Sequence, residues 1–497
     1  MVTRRKLLKT IPAAGAAALI SPLETLAVTA PGGLGGIEDL PILDPVEDLK
    51  TIISLALDAV PEIGGLLSAL VSLCWPSPSV DIWAEIRQRV EAMIDRKIDD
   101  AVYSLLKSKL DGIGNTLKLY LGAVATRDVS NIRMQFIATN TQMTQAAAEF
   151  RNPDFAWTLA PLFAIFSQLH ASLLRDCVLH GKDWGWSPET YSSYVTFTSD
   201  TLATYIAYLD NVAAQEADRL RPNAPATPGR HYTGIYNYWQ PFVQKRTLLL
   251  DDYRLLLTCL DPIRYPDGVK AIPYKDVYSQ AFGTADDWDG TCSGWASWVT
   301  TPFGQPAGNI SRIDVELFNS SPRRVSVSYP SGAGPRLWGQ GRVNGYGIIA
   351  NDKTGVERHS VTIPPAADGK TFNIAGATVK NGSIPMSLWL KLDDGQTLTV
   401  WDRQDLDGDH VNVAVSGRKL TTLNMWTRSN FYDRTLGCLI LGFSKDPGEM
   451  PERVKELLYV SAIEQKSTGA RYLPASISRR VEYARDSFWR SVWSTPR

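Results

Sequence analysis

Between Asp154 and Arg175 the chain runs for twenty residues, Phe155 to Leu174, without a formal charge: FAWTLAPLFAIFSQLHASLL. At 1.5 Å per residue such a helix is about 30 Å long, roughly the hydrocarbon thickness of a bilayer. Its apolar residues do not keep to one face. A helix apolar all round is either the buried centre of a bundle or a membrane span. Long amphipathic segments flank it on both sides, which predicts a central helix wrapped by others, and the membrane reading stays open for a different moment in the protein's life.

The segments around it carry the wrapping pattern. Lys50 to Cys74 is an apolar helical pattern broken by Asp58, Pro61 and Gly64-Gly65, so it is no stable membrane anchor. From Trp83 to Tyr120, Ile86, Val90, Ile94, Ile98, Val102 and Leu105 recur at three- and four-residue steps, the stripe of one buried face, with Gly112 and Gly114 expected to break or end the helix. Ser130 to Phe150 has an apolar stripe of Ile132, Phe136, Met143 and Ala147. Its other side, Asn131, Gln135, Thr139, Gln142 and Gln145, is polar yet almost uncharged. Such a face is either half-covered by neighbours or suited to lining a water-filled lumen. Asn152-Pro153-Asp154 turns the chain into the apolar run, where Pro161 marks a first turn or a kink. Helical patterns follow over 188–220 and 236–260, joined by the Pro- and Gly-rich loop RPNAPATPGR.

Composition shifts near Pro262. From about Thr291 the pattern is alternation: Ile313, Val315 and Leu317, then Val325, Val327 and Tyr329 after a turn at 320–322. Leu388, Leu390 and Leu392 run into Asp393-Asp394-Gly395 and return as Leu398 and Val400, a hairpin. Val411, Val413, Val415 and 436–443 add strands. This predicts an all-β domain over 262–446; sandwich, barrel and three-sheet prism share that pattern. A tail, 447–497, returns to helix, with Ile477, Val481, Ala484, Phe488 and Val492 as a stripe that docks onto the body or lies on a membrane surface.

At the other end, MVTRRKLLKTIPAAGAAALISPLETLAVTA has a basic start, an Ala-rich apolar middle and small residues near Ala30, the pattern of a signal peptide over 1–30. Thr3-Arg4-Arg5-Lys6-Leu7-Leu8-Lys9 is similar to a twin-arginine export motif, which predicts a secreted protein, with 31–47 as a linker and a helical bundle over 48–261.

A net charge of -1 gives no pull toward nucleic acid or toward anionic surfaces as bulk partners. Five widely spaced cysteines show no CxxC pattern and read as buried free thiols. No GxSxG, HExxH or P-loop occurs, and the five histidines form no ligand spacing, so no enzyme, cofactor or metal is expected. Asp402, Asp405, Asp407 and Asp409 suggest calcium, but the glycine is misplaced for an EF-hand loop.

The helical part resembles the insecticidal crystal delta-endotoxins, the three-domain pore-forming toxins. Trp83, Val90-Glu91, Ile94, Ile98, Leu110, Gly112 and Tyr120 fall at the spacing of that family's early bundle helices. Arg133 with Gln135-Phe136 matches the start of the helix before its central one. Leu169-His170, Leu174-Arg175-Asp176, Gly181 and Trp184-Gly185 match the end of the central helix and the turn after it. Lys245-Arg246, Asp261, Tyr265-Pro266 and Val277-Tyr278 match the last bundle helix and the first strand after it. The resemblance covers about Leu49 to Tyr278. There are departures. Arg254 stands where the family's last bundle helix carries an Asp, with Asp251 and Asp252 just before it. Pro161 lies deeper in the central helix than the family's proline. Amides replace acids on the lumen helix, and too few residues follow Asp446 for a third, jelly-roll domain.

The resemblance implies a target-cell membrane as partner and an oligomer that encloses a pore. Phe155, Leu162, Phe163, Ile165, Phe166 and Leu169 would then meet lipid, and Asn131, Gln135, Thr139, Gln142 and Gln145 would line the lumen. By position the β domain corresponds to the family's β-prism, which is similar to sugar-binding lectins. That implies a glycan or glycoprotein receptor at loops 332–347, 351–355 and 402–410, bearing Trp338, Tyr346, Trp401 and Asp402. The competing expectation is a secreted carbohydrate-binding protein whose bundle never inserts.

Overall fold

In a computed structural model of the chain, the described residues are 44–58, 63–76, 81–227, 229, 231–269, 272–284, 309–318, 320–329, 336–337, 357–364, 374–405, 407–429 and 434–445. The signal peptide, the C-terminal tail, and the loops 332–347 and 351–355 expected from sequence, with Trp338 and Tyr346, lie outside them, apart from Arg336 and Leu337.

Helices come first. α1 (Pro45–Asp58) starts where Asp44 accepts from the amides of Val46 and Glu47, with proline in the first helical position. It begins a few residues earlier than the sequence boundary of 48. α2 (Gly65–Cys74) is entered through Gly64 in the left-handed region, at φ 75°. The stripe read as one helix over 83–120 is two. α3 (Ile82–Ile94) ends on Asp95 in the left-handed region, and α4 (Asp100–Thr126) starts on Asp99, whose carboxylate accepts from the amides of Ala101 and Val102. Apolar letters continue across the turn, so caps rather than pattern divide the two helices, but the buried face does not run on as expected: in α4 it is carried by Tyr103, Leu106 and Leu110, while Val102 is half-buried and Leu105 is exposed. Gly112 and Gly114 do not break α4. A side chain at Gly114 would strike the Trp75 ring at 2.6 Å, so the glycine is a point of close packing.

α5 (Val129–Phe150) is capped by Asp128. A short 3-10 turn, Pro153–Phe155, leads into α6 (Ala156–His180), the apolar run, with Pro161 inside it. α7 (Pro188–Leu220) is capped by Ser187. The last bundle helix is divided: α8 (Gly234–Arg246), a π-helical turn over Thr247–Asp251, and α9 (Asp252–Cys259). The division has a packing reason. Tyr236, Trp239 and Phe242 of α8 pack with Cys438 and Ile440 of the β region, whereas Leu249, Leu250, Tyr253, Leu256 and Leu257 belong to the bundle core. The wide turn lets one helix serve two cores.

The strands are β1 (Val277–Tyr278), β2 (Phe282–Gly283), β3 (Arg312–Phe318), β4 (Ser321–Ser328), β5 (Arg336–Leu337), β6 (Glu357–Thr362), β7 (Ile374–Asn381), β8 (Pro385–Leu392), β9 (Thr397–Asp402), β10 (Asp409–Ala414), β11 (Lys419–Ser429) and β12 (Arg434–Ser444). They form three antiparallel sheets: β1-β12-β11 with β2 on β12, β10-β7-β8-β9, and β5-β4-β3-β6. Inward residues of all three share one core, including Phe282 and Leu423, Val315 and Val327, and Leu388 and Leu390. The alternation seen in sequence is the burial alternation of β3, β4 and β8.

A buried ion network joins helices to sheets. Lys50 of α1 bonds Glu47 at 2.6 Å, Asp252 at 3.0 Å and the Leu248 carbonyl of the π turn at 2.6 Å. Arg418, after β10, reaches Asp252 at 2.7 Å, and Lys445 reaches Glu47 at 2.8 Å. Burial pushes the Glu47 carboxyl up, but Lys50, Lys445 and Arg418 outweigh it and hold the group at about 2. Asp252, not the position of Arg254, therefore supplies the acid that ties the last bundle helix to the β region; Arg254 pairs with Asp210 instead.

Candidate functional site

The uncharged run predicted to sit at the centre does so. α6 touches α2, α3, α5, α7 and α9, and every residue from Leu159 to Cys177 is buried. Leu162, Phe163, Phe166 and Leu169 are fully enclosed, Ile165 nearly so, and Phe155 is half-buried at the turn between α5 and α6. A helix long and apolar enough to cross a bilayer is thus kept from water by its neighbours.

Its two halves are held differently. In the first, rings pack on rings: Phe163 meets Tyr205 and Tyr208 edge-on at 5.0 and 4.8 Å, Phe166 stacks on Phe150 at 4.8 Å, and Trp157 lies 5.8 Å from Phe242. The second is tied by polar bonds. Gln168 donates to the Tyr253 carbonyl of α9 at 3.0 Å. His170 bridges Asn140 of α5 at 2.8 Å and Tyr205 of α7 at 2.7 Å. With Asn140 presenting its oxygen, Nε2 carries the ring proton and Nδ1 accepts the tyrosine hydroxyl. Arg175 donates to the carbonyls of Leu260, Tyr265 and Pro266.

Asp176 accepts from the Gly64 amide at the start of α2, at 2.9 Å, and from the Tyr120 hydroxyl of α4, at 3.2 Å. Burial pushes its carboxyl up to about 7, and the Gly64 amide, the Tyr120 hydroxyl and neighbouring Arg175 offset only part of that rise. The same burial, with Asp176 beside it, drives the Tyr120 phenol well above its ordinary value, and the Cys177 thiol rises too. These ties were missed in sequence. Their signal was the interruption of the run by Gln168 and His170 and its close on Arg175-Asp176.

The amide-rich side of α5 meets α4 at Thr139 and Gln142 and is open to water at its C-terminal end. Thr139 is buried and donates to the Thr116 carbonyl, Gln142 lies over Gly112, Asn131 and Gln135 are half-buried, and Gln145 is exposed. In this state Thr139 and Gln142 form a helix–helix contact. On the β region, Trp401 does not project from a loop. It lies in β9, fully buried, its indole N–H donating to the Pro385 carbonyl at 3.0 Å, because the β-bulge between Leu388 and Trp389, where β9 carries Val400 as an extra residue, turns it inward. Asp402 is half-buried and accepts from Ser387 at 2.6 Å, while Arg403 holds Asp405. Among the described residues no cluster of acids, histidines or cysteines has metal-binding geometry. Cys74, Cys177, Cys259 and Cys438 are buried and free.

Residues 52–254 match the family model of the delta endotoxin N-terminal domain. Among curated proteins, the chain is 26% identical over 245 residues to the pesticidal crystal protein Cry8Ba of Bacillus thuringiensis serovar kumamotoensis, covering 48% of this chain and 20% of that one. It is also 26% identical over 249 residues to Cry9Ca of Bacillus thuringiensis subsp. tolworthi, covering 48% and 21%. The chain therefore spans about a fifth of the length of these relatives. Among solved structures, the insecticidal delta-endotoxin Cry8Ea1 from Bacillus thuringiensis superposes with a TM-score of 0.53 at 18% identity, over 82% of this chain and 74% of that one. PirB superposes with a TM-score of 0.58 at 15% identity, over 83% and 96%. Matches of that extent take in the sheets as well as the helices, and establish a shared fold.

Proposed function

Starting from a helical region that is a delta-endotoxin N-terminal domain, we propose that this chain is a secreted pore-forming toxin. Its β region recognises a target-cell surface, and α5 with α6 inserts as a hairpin. The observation that carries this reading is the total enclosure of a bilayer-length apolar helix, from Leu159 to Cys177. In lipid a helix satisfies its own backbone, so α6 loses little by exchanging protein neighbours for acyl chains. The Asn140–His170 bond lies within the hairpin and travels with it. α5 would then turn its amides, Asn131, Gln135, Gln142 and Gln145 with Thr139, from α4 toward a water-filled lumen, and several protomers would enclose it. We read the three sheets as a β-prism and the N-terminus as a twin-arginine-type export signal.

Dye-filled liposomes and planar bilayers test this. Protein lacking its first thirty residues is expected to release dye and to carry current once triggered by receptor, pH or protease. Membranes that stay sealed under all three triggers defeat the proposal. One observation favours a second reading, a carbohydrate-binding protein with a permanently closed bundle: the polar ties of Gln168 to α9, of Arg175 to the segment after α9, and of Asp176 to Gly64 before α2 and to α4 must all break for α6 to leave. Glycan binding with no leakage would select it.

A further inference from the structure

Proteins blunt the end strands of their sheets, because a free edge offers unpaired N–H and C=O groups to any other strand. Most ends in this molecule are blunted. β1 and β5 are two residues long. β6 presents Glu357 and Arg358, and Arg358 pairs with Glu316. The pairing of β9 is bulged, and the His359 imidazole of β6 bonds the Val400 carbonyl. The pairing of β11 is bulged at two places. β10, at the end of β10-β7-β8-β9, has none of these guards. It runs for six residues, Asp409–Ala414, in unbroken register with Asn381 to Gly376 of β7, and contains no proline, lysine or arginine. All six residues are exposed or half-buried, and among the described residues no backbone bond is made on its other side.

The strand is held from within its own sheet. Val411 and Val413 pack partly against the shared core. On the outer face, the His410 imidazole lies 5.4 Å from the Trp389 ring, and Asn412 Oδ1 accepts from Thr378 at 2.6 Å and from Lys391 at 3.0 Å. Its extended shape is therefore set before any partner arrives, which lowers the ordering cost of pairing.

The strand that fits this edge is its own copy. A two-fold axis perpendicular to the sheet brings two β10 strands together antiparallel and pairs residues an even number of positions apart. The N–H and C=O groups that point out of one strand then meet those that point out of the other. With the axis through Asn412, Val411 falls opposite Val413 twice on the core side. On the outer side Asn412 meets itself and His410 meets Ala414. Asp409, the strand's one carboxylate, falls opposite Val415, so no like charges meet. An axis through Val411 would instead set Asp409 against Val413. With so little charge of its own, the strand gives an unrelated partner little electrostatic hold, whereas its copy matches it apolar to apolar. We propose that two copies of this chain associate through β10, edge to edge, joining two four-stranded sheets into one. The contact is small, so the association is weak, with a dissociation constant between about 1 μM and 1 mM. It concerns the protein in solution and does not depend on the pore reading.

Sedimentation velocity on the full chain over a concentration series tests this. Wild type is expected to show a reversible monomer–dimer equilibrium, and hydrogen exchange at 409–414 should slow as the concentration rises. Asn412→Lys and Asn412→Asp each set like charges face to face at the axis and should weaken association about fivefold or more. Mixed in equal amounts, the two variants place opposite charges there and should associate at least as well as wild type. That recovery requires both variants to be folded, and association through any other surface would leave each variant alone unaffected. The proposal is overturned if wild type stays monomeric up to about 1 mM, which is also what an edge filled by another part of the same chain would give. It is equally overturned if either variant associates as wild type does, or if the mixture stays as weak as its components.

Discussion

The front and rear halves of α6 share one helix and the same near-complete burial, yet they are held by different physics. Leu159 to Phe166 is gripped by shape and rings; Gln168 to Asp176 is bonded to α2, α4, α5, α7, α9 and the segment after α9. Apolar packing is non-directional, so the front half gives up little on moving from protein to lipid. A buried polar partner left behind costs about 1–3 kcal/mol each, so the rear half resists leaving. The difference teaches that enclosure and restraint are separable: the front makes the helix fit for a membrane, and the rear decides when it goes.

The largest effect should come from the front. Phe166→Ala removes a ring stacked on Phe150 and leaves a cavity at the centre of the bundle, a loss of about 3–5 kcal/mol. Urea unfolding reads that loss. Liposome leakage by the folded fraction should fall as well, because the same ring would face lipid. Ile165→Asp is harsher and is expected not to fold, so Phe166→Ala is the informative variant. Breaking the rear should act oppositely on function. Arg175→Met strips donors from the carbonyls of Leu260, Tyr265 and Pro266 and should cost about 3 kcal/mol. Leakage, however, should become faster and need a weaker trigger. If front and rear variants change leakage in the same direction, the comparison fails.

Much of this was legible in sequence. The central helix, the surrounding helices, the hairpin at Gly395 and the alternation of β3 and β4 follow from period and turn residues that act locally. What was not legible depends on partners far along the chain. The amide side of α5 could not be assigned to α4 or to water, since both accept amides. The split at 95–99 hid behind an unbroken hydrophobic stripe. Trp401 read as a loop residue, because a bulge in the pairing of β8 with β9, invisible in one strand's letters, is what sends its indole inward. The ties of Gln168 and Asp176 join residues 85 and 112 positions apart, to Tyr253 and Gly64.

Asp176, just beyond the inserting stretch of 155–174, gives the rear half a pH dependence. Its carboxyl sits at about 7 in the fold, above the ordinary carboxylate value of 3.8. Between those values the unfolded chain has released this proton while the folded chain keeps it. Its contribution to stability is therefore greatest at acid pH and is lost as pH rises toward and through 7. At about 1.4 kcal/mol per unit, the difference between pH 5 and pH 8 is about 2–3 kcal/mol. Asp176→Asn should abolish that share. The gap in urea stability between variant and wild type should widen in the variant's favour as pH rises, and wild-type leakage should accelerate above pH 7 while the variant's does not. A pH-independent gap removes Asp176 from the restraint.

The smallest effect is the sharpest test of what restrains the rear half: bonds to neighbours, or polarity itself. Ser167 and Ser172 are buried there too, but their hydroxyls donate to the Ala164 and Gln168 carbonyls of their own helix, at 2.6 and 2.8 Å. Those bonds move with α6 and oppose nothing. Replacing either serine by alanine leaves each carbonyl its backbone partner and opens little space, so stability should change by under about 0.5 kcal/mol and leakage not at all. Gln168→Leu, one residue from Ser167, breaks the bond to Tyr253 and should cost about 1–2 kcal/mol while speeding leakage. Equal effects from Ser167→Ala and Gln168→Leu would mean that polarity alone holds the helix back, and the division of α6 into a membrane-ready front and a tethered rear would have to be abandoned.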